Sequence, residues 1–231
     1  MSDDKLGEAI SDWKKKRNQA DEAKKKWPFS MQLLVIFGFA LIVSILIRVF
    51  LFQPFVVPSG SMKPTLEIGD RILVSKLYPK PFGPNRQDVI VFKDPGNWLS
   101  AVSATAQLDI SPWGAFLQFI GLQETDNNDY LTKRLIGLPG DHIVCDGKGG
   151  PVIVNGAALQ ESYIMDSTMP STQPIDVVVP PNMTYVLGDN RSNSADSRFN
   201  KDKQYNGFVP EANIVGRVVS IIWPLGDFRF V

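Results

Sequence analysis

Residues 31–52 read MQLLVIFGFALIVSILIRVFLF and set the organisation of the chain. At a rise of about 1.5 Å per residue, a helix of this length is roughly 33 Å long, which is enough to cross a hydrocarbon core of about 30 Å. The polar leader before it is long and no small-x-small site follows it directly, which favours a retained anchor over a cleaved signal peptide. We therefore predict a transmembrane helix at 30–52.

Charge is unevenly distributed on the two sides of this predicted helix. Residues 1–29 contain a lysine-rich stretch between Lys14 and Lys26, and the positive-inside rule places such a segment in the cytoplasm. We expect residues 1–29 to form a basic cytoplasmic segment and residues 53–231 to lie outside the cytoplasm. The lipid bilayer is therefore an expected partner.

Composition excludes several kinds of site and partner. The chain of 231 residues has 24 basic and 24 acidic side chains, but the part beyond residue 52 is mildly acidic, which argues against nucleic acid as a partner. Cys145 is the one cysteine and His142 the one histidine. An intramolecular disulfide is excluded, and we expect no metal site of the tetrahedral zinc type.

Beyond residue 52, the apolar runs are short and are bounded by turn residues. Such runs occur at 71–74, 89–92, 177–179, 185–187 and 214–223, and their length and flanks are typical of strands. Residues 135–144 are predicted to form a strand, a tight turn at 138–141 and a second strand. Asn155-Gly156 suits the type I′ turn of a hairpin. The predicted fold class is mainly β: an antiparallel β-sheet domain over 53–231, with one N-terminal transmembrane helix.

Residues 99–129 interrupt this pattern. Ser111-Pro112 has the features of a helix start, and Trp113, Phe116 and Leu117 then share one helical face. The segment is an insertion that forms either an interfacial helix on the membrane or a helix packed on the β domain. Periodicity does not distinguish lipid from protein core, so both alternatives stay open.

Pro58-Ser59-Gly60-Ser61-Met62 lies a few residues beyond the predicted helix. A serine in a Pro/Gly-rich turn this close to a bilayer suggests a nucleophile that acts on a membrane-bound substrate. Such a serine needs a base to activate it and donors to stabilise an oxyanion. The Ser59 hydroxyl is a candidate second donor beside the backbone N–H of Ser61.

Three residues could activate Ser61. Lys133 lies among apolar neighbours, and full burial lowers a lysine pKa by up to about 3–5 units, which would let the amine act as a base. Lys63 would share a strand face with Ser61 but is expected to be solvated. His142 follows a turn, and no sequence feature links it to the serine. The sequence favours Lys133 and keeps the other two as alternatives.

A dense polar cluster occupies residues 188–198. Its composition alone favours a solvated loop. The functional alternative is a network that fixes the lysine, with Ser194 as its hydrogen-bond partner and Asp196 and Arg198 as an ion pair behind it.

Taken in order, these segments resemble the motif set of bacterial type I signal peptidases. The resemblance rests on residues 58–66, on Lys133-Arg134 with Gly137-Leu138-Pro139-Gly140-Asp141, and on residues 188–198. Shorter similarities at 69–70, 88–93, 207–210 and 215–217 extend it from about residue 55 to 223. The combination is specific because all the pieces occur in family order.

The resemblance implies a Ser-Lys serine endopeptidase that removes signal peptides from exported proteins after small-x-small sites such as Ala-x-Ala. It implies a bacterial cytoplasmic membrane location, and it implies that no metal or cofactor is needed. By motif position the implied site residues are Ser61 (nucleophile), Lys133 (general base), Ser59 (oxyanion donor), Ser194, Asp196 and Arg198 (support of the pair), and Phe55, Val57, Pro58 and Leu66 (substrate pockets).

Other functions account for part of the same pattern. One is a Ser-Lys maturation protease dedicated to a single transported protein, and another is a membrane-tethered β domain without enzymatic activity. Ala104-Thr105-Ala106 also has the form of a small-x-small site, which gives the hypothesis of self-cleavage within the insertion.

Overall fold

The computed structural model describes residues 3–22, 28–78, 83–99, 129–165 and 170–231. The chain divides into two compact units, residues 1–45 and 46–231. Apart from its two end residues, the predicted insertion at 99–129 lies outside the described residues. The same holds for the hypothetical self-cleavage site at Ala104-Thr105-Ala106.

Two helices occupy the N-terminal part, α1 (Asp3–Glu22) and α2 (Phe29–Phe50). Within α2, Phe29–Ile47 is long and apolar enough to cross a membrane, and none of it is buried in protein. The helix corresponds to the span predicted at 30–52 and ends two residues before the predicted limit. Its exposed apolar surface is what a helix surrounded by lipid requires.

Beyond α2, the described residues form strands joined by turns and short 3₁₀ turns. The strands are β1 (Phe52–Val56), β2 (Arg71–Ser75), β3 (Val89–Lys93), β4 (Tyr130–Gly137), β5 (His142–Cys145), β6 (Ile153–Val154), β7 (Ala157–Ala158), β8 (Ile175–Val178), β9 (Met183–Leu187), β10 (Val209–Pro210), β11 (Ile214–Trp223) and β12 (Arg229–Phe230). The prediction of a mainly β, antiparallel fold is confirmed.

The strands of the described residues form two antiparallel sheets. The larger follows the order β1-β2-β11-β3-β4-β9-β10, with β12 added beside β11, and the smaller follows β7-β6-β5-β8. The turn between β6 and β7 is the predicted Asn-Gly hairpin, with positive φ at both Asn155 and Gly156. The chain passes from the larger sheet to the smaller through the turn between β4 and β5, which lies at the turn predicted for 138–141.

Strand β4 lies inside the larger sheet, between β3 and β9. In its register Ile90 pairs with Lys133, and Leu187 pairs with Arg134. From Lys133 to Gly137 every residue of β4 is buried, which is typical of a strand with both faces covered. A lysine on this strand is therefore removed from water by the sheet itself.

The two sheets share part of their core. Ile136 of β4 and Leu187 of β9 belong to the same apolar cluster as Ile143 of β5. At Gly137 the approach is so close that a Cβ would lie 2.4 Å from Ile143 Cδ1. The smaller sheet is thus packed on the end of β4 that follows Lys133.

Candidate active site

Ser61 lies in a single 3₁₀ turn, Gly60–Met62, between β1 and β2. A second segment holds this turn by its carbonyl groups. The backbone N–H of Asn190 donates to Ser61 O at 3.0 Å, and its side-chain amide donates to Gly60 O at 3.1 Å. At Gly188 a Cβ would lie 2.6 Å from Ser61 O, so a side chain there would push the serine away.

The structure brings the predicted nucleophile and base together. Lys133 Nζ lies 2.6 Å from Ser61 Oγ and 3.1 Å from Thr132 O, although the two paired residues are 72 positions apart in sequence. Only 3% of Lys133 is exposed. Burial lowers the pKa of the Lys133 amine from its ordinary value to about 8, against the smaller opposing effects of Asp196 and Asp189.

The two alternative bases make other contacts. Lys63 forms an ion pair with Glu67 at 2.6 Å on the partly exposed side of the turn. His142 is exposed on the smaller sheet, where its Nε2 lies 2.8 Å from Asp176. Among the described residues, Lys133 is the amine within hydrogen-bond distance of Ser61.

Ser59 also lies close to the pair. Its hydroxyl oxygen is 3.4 Å from Ser61 Oγ, and the residue is exposed to solvent. A hydroxyl at this distance could donate to an oxyanion formed at Ser61, and the role of Ser59 as oxyanion donor stays a prediction.

A cavity of about 200 Å³ opens over Ser61 and Lys133. The other residues that line it are Val57, Pro58, Ser59, Met62, Leu99, Tyr130, Leu131 and Thr132. Of the four residues predicted to line the substrate pockets, Val57 and Pro58 are among these lining residues, whereas Phe55 and Leu66 are not. Phe55 and Leu66 are instead packed in an apolar core cluster that also contains Val57 and Met62. Phe55 supports the cavity indirectly through an edge contact with the ring of Tyr130.

Asp196 and Arg198 form the predicted ion pair. Arg198 donates from Nε and Nη2 to the two carboxylate oxygens of Asp196, each at 2.8 Å, and both side chains are fully buried. The carboxylate also accepts the backbone N–H of Gly188 at 3.0 Å. The Asp196 carboxylate thus has hydrogen-bond donors on both of its oxygens. Its negative charge raises the pKa of Lys133 and so favours the protonated amine.

The predicted hydrogen bond between Ser194 and Lys133 is not formed. Ser194 Oγ is buried without a partner in the described part of the chain, while the lysine amine contacts Ser61 and Thr132. Ser194 does lie against the loop that holds Ser61, since a Cβ at Gly188 would be 2.2 Å from its oxygen.

Sequence analysis missed a second buried ion pair beside the first. Arg134 donates to both carboxylate oxygens of Asp189, at 2.7 and 2.6 Å, and Thr65 donates to the same group at 2.5 Å. Arg134 follows Lys133 and Asp189 precedes Asn190, so the pair joins β4 to the loop that holds Ser61. The sequence contained a signal for this pair, because Arg134 lies next to Lys133 and the oppositely charged Asp189 lies in the polar cluster at 188–198.

Carboxylate, imidazole and thiol groups are the side chains that most often bind metal ions in proteins. No group of three or more His, Cys, Asp or Glu side chains within the described residues is placed to hold a metal ion. The acidic side chains nearest to the lysine are already paired with arginines. The arrangement presents a serine, a buried amine and an open cavity, which is a set suited to acyl transfer.

Comparison with known proteins gives a consistent result over most of the chain. Residues 30–223 match the family model described as "Signal peptidase, peptidase S26". The signal peptidase I of Mycobacterium tuberculosis (strain CDC 1551 / Oshkosh) is 34% identical over 243 residues, covering 96% of this chain and 82% of that protein. The signal peptidase I of Bacillus caldolyticus is 31% identical over 225 residues, covering 92% of this chain and 97% of that protein.

Two further similarities were found. The signal peptidase I of Leptolyngbya laminosa is 35% identical over 195 residues, covering 84% of this chain and 80% of that protein. A crystal structure of a signal peptidase I from Enterococcus faecalis V583 aligns with a TM-score of 0.37 and 27% identity, covering 58% of this chain and 95% of the other.

Replacing the buried amine should stabilise the fold. Because the pKa of Lys133 is lowered to about 8, its ammonium form is less stable in the folded than in the unfolded chain. We expect Lys133→Met to raise the free energy of unfolding at pH 7 by about 1–3 kcal/mol, and this gain should shrink as the pH rises from 8 to 10.5. Denaturant unfolding of the full chain in detergent, at several pH values, measures this change in the free energy of unfolding.

The matched control is Lys93→Met, at the exposed end of β3. This change should stay within about 0.5 kcal/mol of zero. A Lys133→Met chain that is less stable than the original at pH 7 would contradict the burial argument.

Proposed function

Since this chain belongs to the signal peptidase family, peptidase S26, we propose that it is a membrane-anchored serine endopeptidase that cleaves signal peptides from exported proteins through Ser61 and Lys133. The observation that carries the proposal is the 2.6 Å contact between Lys133 Nζ and Ser61 Oγ. The family is one of peptidases, which disfavours the alternative of a non-enzymatic tethered domain.

The first chemical step is the attack of Ser61 on the scissile carbonyl. Because burial lowers the pKa of Lys133 to about 8, roughly a tenth of the molecules hold a neutral amine at pH 7. The neutral amine accepts the Ser61 proton while Oγ bonds to the carbonyl carbon. The negative charge on the resulting tetrahedral oxygen is stabilised by the Ser61 backbone N–H and the Ser59 hydroxyl.

The second step releases the mature protein. Lys133, now an ammonium, gives its proton to the leaving nitrogen, and the C–N bond breaks to leave an ester on Ser61. Lys133 then takes a proton from a water molecule while the water oxygen bonds to the ester carbonyl carbon. As the bond from that carbon to Ser61 Oγ breaks, Lys133 returns the proton to Oγ, which restores the serine and the neutral amine and leaves the peptide as a free acid. The buried carboxylates of Asp196 and Asp189 favour the ammonium that forms at each stage, while their arginine partners keep them from neutralising it by proton transfer.

The cavity supports a preference for small side chains near the cleavage site. Its volume is about 200 Å³, which is below the range of about 300–1,000 Å³ usual for small-molecule pockets. Val57, Leu131 and Met62 give it apolar walls. We propose that alanine-sized side chains fill it and that larger ones are excluded, which is the basis of a small-x-small specificity.

We further propose that α2 anchors the enzyme in the cytoplasmic membrane, with residues 1–29 inside and 53–231 outside. The lysine-rich leader supports this orientation. In the second unit, Trp223, Phe228 and Phe230 are exposed, and exposed aromatic rings are typical of a membrane–water interface. Enzyme and substrate would share one membrane surface, which raises their effective concentration.

The direct test uses a model preprotein with an Ala-x-Ala site. The unmodified chain should cut once after that site, while Ser61→Ala and Lys133→Ala should give no product, since one lacks the nucleophile and the other the base. Mass spectrometry of the products locates the cut. Lys63→Ala is the matched control and should retain activity; loss of activity in Lys63→Ala together with activity in Lys133→Ala would move the base to Lys63.

Removal of the Ser59 hydroxyl should slow the chemical step without weakening substrate binding. One oxyanion donor contributes about 100–1,000-fold to the rate in other serine hydrolases. We expect Ser59→Ala to lower kcat by that factor with little change in KM, and Ser59→Thr, which keeps a hydroxyl, to recover part of the loss. Equal kcat in Ser59→Ala and the unmodified enzyme would remove Ser59 from the mechanism.

A further inference from the structure

A second, larger cavity lies at the other end of strand β1. Its volume is about 440 Å³, which falls in the range of pockets that hold small molecules. The residues that line it are Phe52, Ser75, Leu77, Tyr78, Gly83, Asn85, Arg217 and Val219. None of them belongs to the active-site cavity.

The register of the sheet separates the two cavities. Phe52, at the start of β1, pairs with Ser75, and Ser75 pairs with Arg217 of β11. The active-site turn follows the opposite end of β1, at Val56. At about 3.3 Å per residue, the strand itself spans roughly 13 Å between these ends. The second cavity is therefore a separate site.

The Tyr78 side chain brings a buried polar group to this cavity. The residue is 5% exposed, and its oxygen has no hydrogen-bond partner in the described residues. An unpaired buried hydroxyl costs stability, so it needs an explanation. Burial raises the pKa of the Tyr78 phenol, and the Asp88 carboxylate raises it further. The phenol is therefore neutral, and Tyr78 is one of the residues that line the cavity.

Arg217 supplies a cation in the same wall. Its one hydrogen bond among the described residues runs from Nη1 to Asp88 Oδ1 at 3.4 Å, at the long limit for such a contact. Asp88 also accepts the backbone N–H of Asn85 through its other oxygen, at 3.1 Å. The remaining N–H groups of the guanidinium are thus available, and a guanidinium fork matches the oxygens of a phosphate.

The rest of the lining is apolar or neutral. Phe52, Leu77 and Val219 form an apolar wall, and no carboxylate is among the described residues that line the cavity. The Asp88 carboxylate lies next to it, in contact with Arg217. A polar end with Arg217 and Tyr78 beside an apolar wall suits an anionic amphiphile. Inorganic phosphate would leave the apolar wall without a contact.

The position of Phe52 favours a lipid as the source of such a group. Phe52 follows the last residue of α2, Phe50, by two positions, so their Cα atoms are at most about 7 Å apart. If α2 crosses the membrane as proposed above, this strand start lies at the level of the lipid headgroups. The assignment of the ligand to a lipid rests on the proposed anchoring, whereas the match to a phosphate rests on the residues of the cavity alone.

We propose that this cavity binds the phosphate headgroup of a membrane phospholipid. Arg217 and Tyr78 donate hydrogen bonds to phosphate oxygens, and Phe52, Leu77 and Val219 contact the glycerol and the first part of the acyl chains. The bound lipid holds the start of β1 at the membrane surface, next to the end of the anchor.

Binding is measured on the full chain in detergent, carrying Ser61→Ala so that the result does not depend on peptidase activity. The probes are dihexanoyl phosphatidylglycerol, glycerol 3-phosphate without acyl chains, and dihexanoylglycerol without phosphate. Saturable binding of the phospholipid, at least tenfold tighter than that of either fragment, is the expected result. Equal binding of glycerol 3-phosphate would identify a free phosphate site and overturn the lipid assignment.

Variants then locate the site. Arg217→Gln should weaken phospholipid binding about tenfold or more, since it removes a charge-assisted contact, and Tyr78→Phe should weaken it several-fold. Lys201→Gln removes an exposed cation elsewhere and is the control that should bind as before. Equal binding by Arg217→Gln and Lys201→Gln would overturn the proposal.

The thermal stability of Tyr78→Phe separates a ligand contact from a structural role. Without lipid this variant should unfold at the same temperature as the parent or higher, because it deletes an unpaired hydroxyl. Phospholipid should then raise its Tm by less than it raises that of the parent. An equal increase in Tm would show that the hydroxyl does not contact the lipid.

Discussion

The candidate active site depends on a lysine amine that is buried away from water and contacts a serine hydroxyl. Lys133 is held in this state by its place on β4, which is covered on both faces and flanked by β3 and β9. Burial disfavours the ammonium, and the nearby carboxylates of Asp196 and Asp189 favour it. Burial has the larger effect, so the balance leaves the pKa near 8, where the amine can both take and give a proton.

One segment of the chain, residues 188–198, controls both members of the pair. Its first residues hold the turn of Ser61 through Gly188 and Asn190. Its acidic residues set the charge around the lysine, and each is fixed by an arginine, Arg134 or Arg198. A buried carboxylate without its arginine would be costly, since breaking such a pair leaves an uncompensated charge. The loop therefore supports both residues through buried contacts, and the alternative of a solvated loop is wrong for its buried residues.

Much of the fold was predictable from sequence, because strand length, turn residues and the apolar helix are local signals. The pairing of Ser61 with Lys133 was also predictable, because the apolar neighbours of Lys133 favoured it as the base and the ordered motifs of the family resemblance pointed to the same pair. The cavity wall was harder to predict, since Tyr130 and Leu131 reach it from a strand about 70 positions away. Phe55 and Leu66 show the same limit: an apolar residue near the nucleophile can face the cavity or the core, and only packing decides.

The most direct test of the central claim is the protonation of Lys133 itself. The full chain, labelled with ¹³C at the lysine Cε and held in detergent, is titrated by NMR between pH 6 and 11, with the Lys133 signal assigned from its loss in Lys133→Arg. A pKa lowered by burial means that the signal shifts with a midpoint near pH 8. A midpoint near 10.4, the ordinary value for a solvated lysine, would contradict the account.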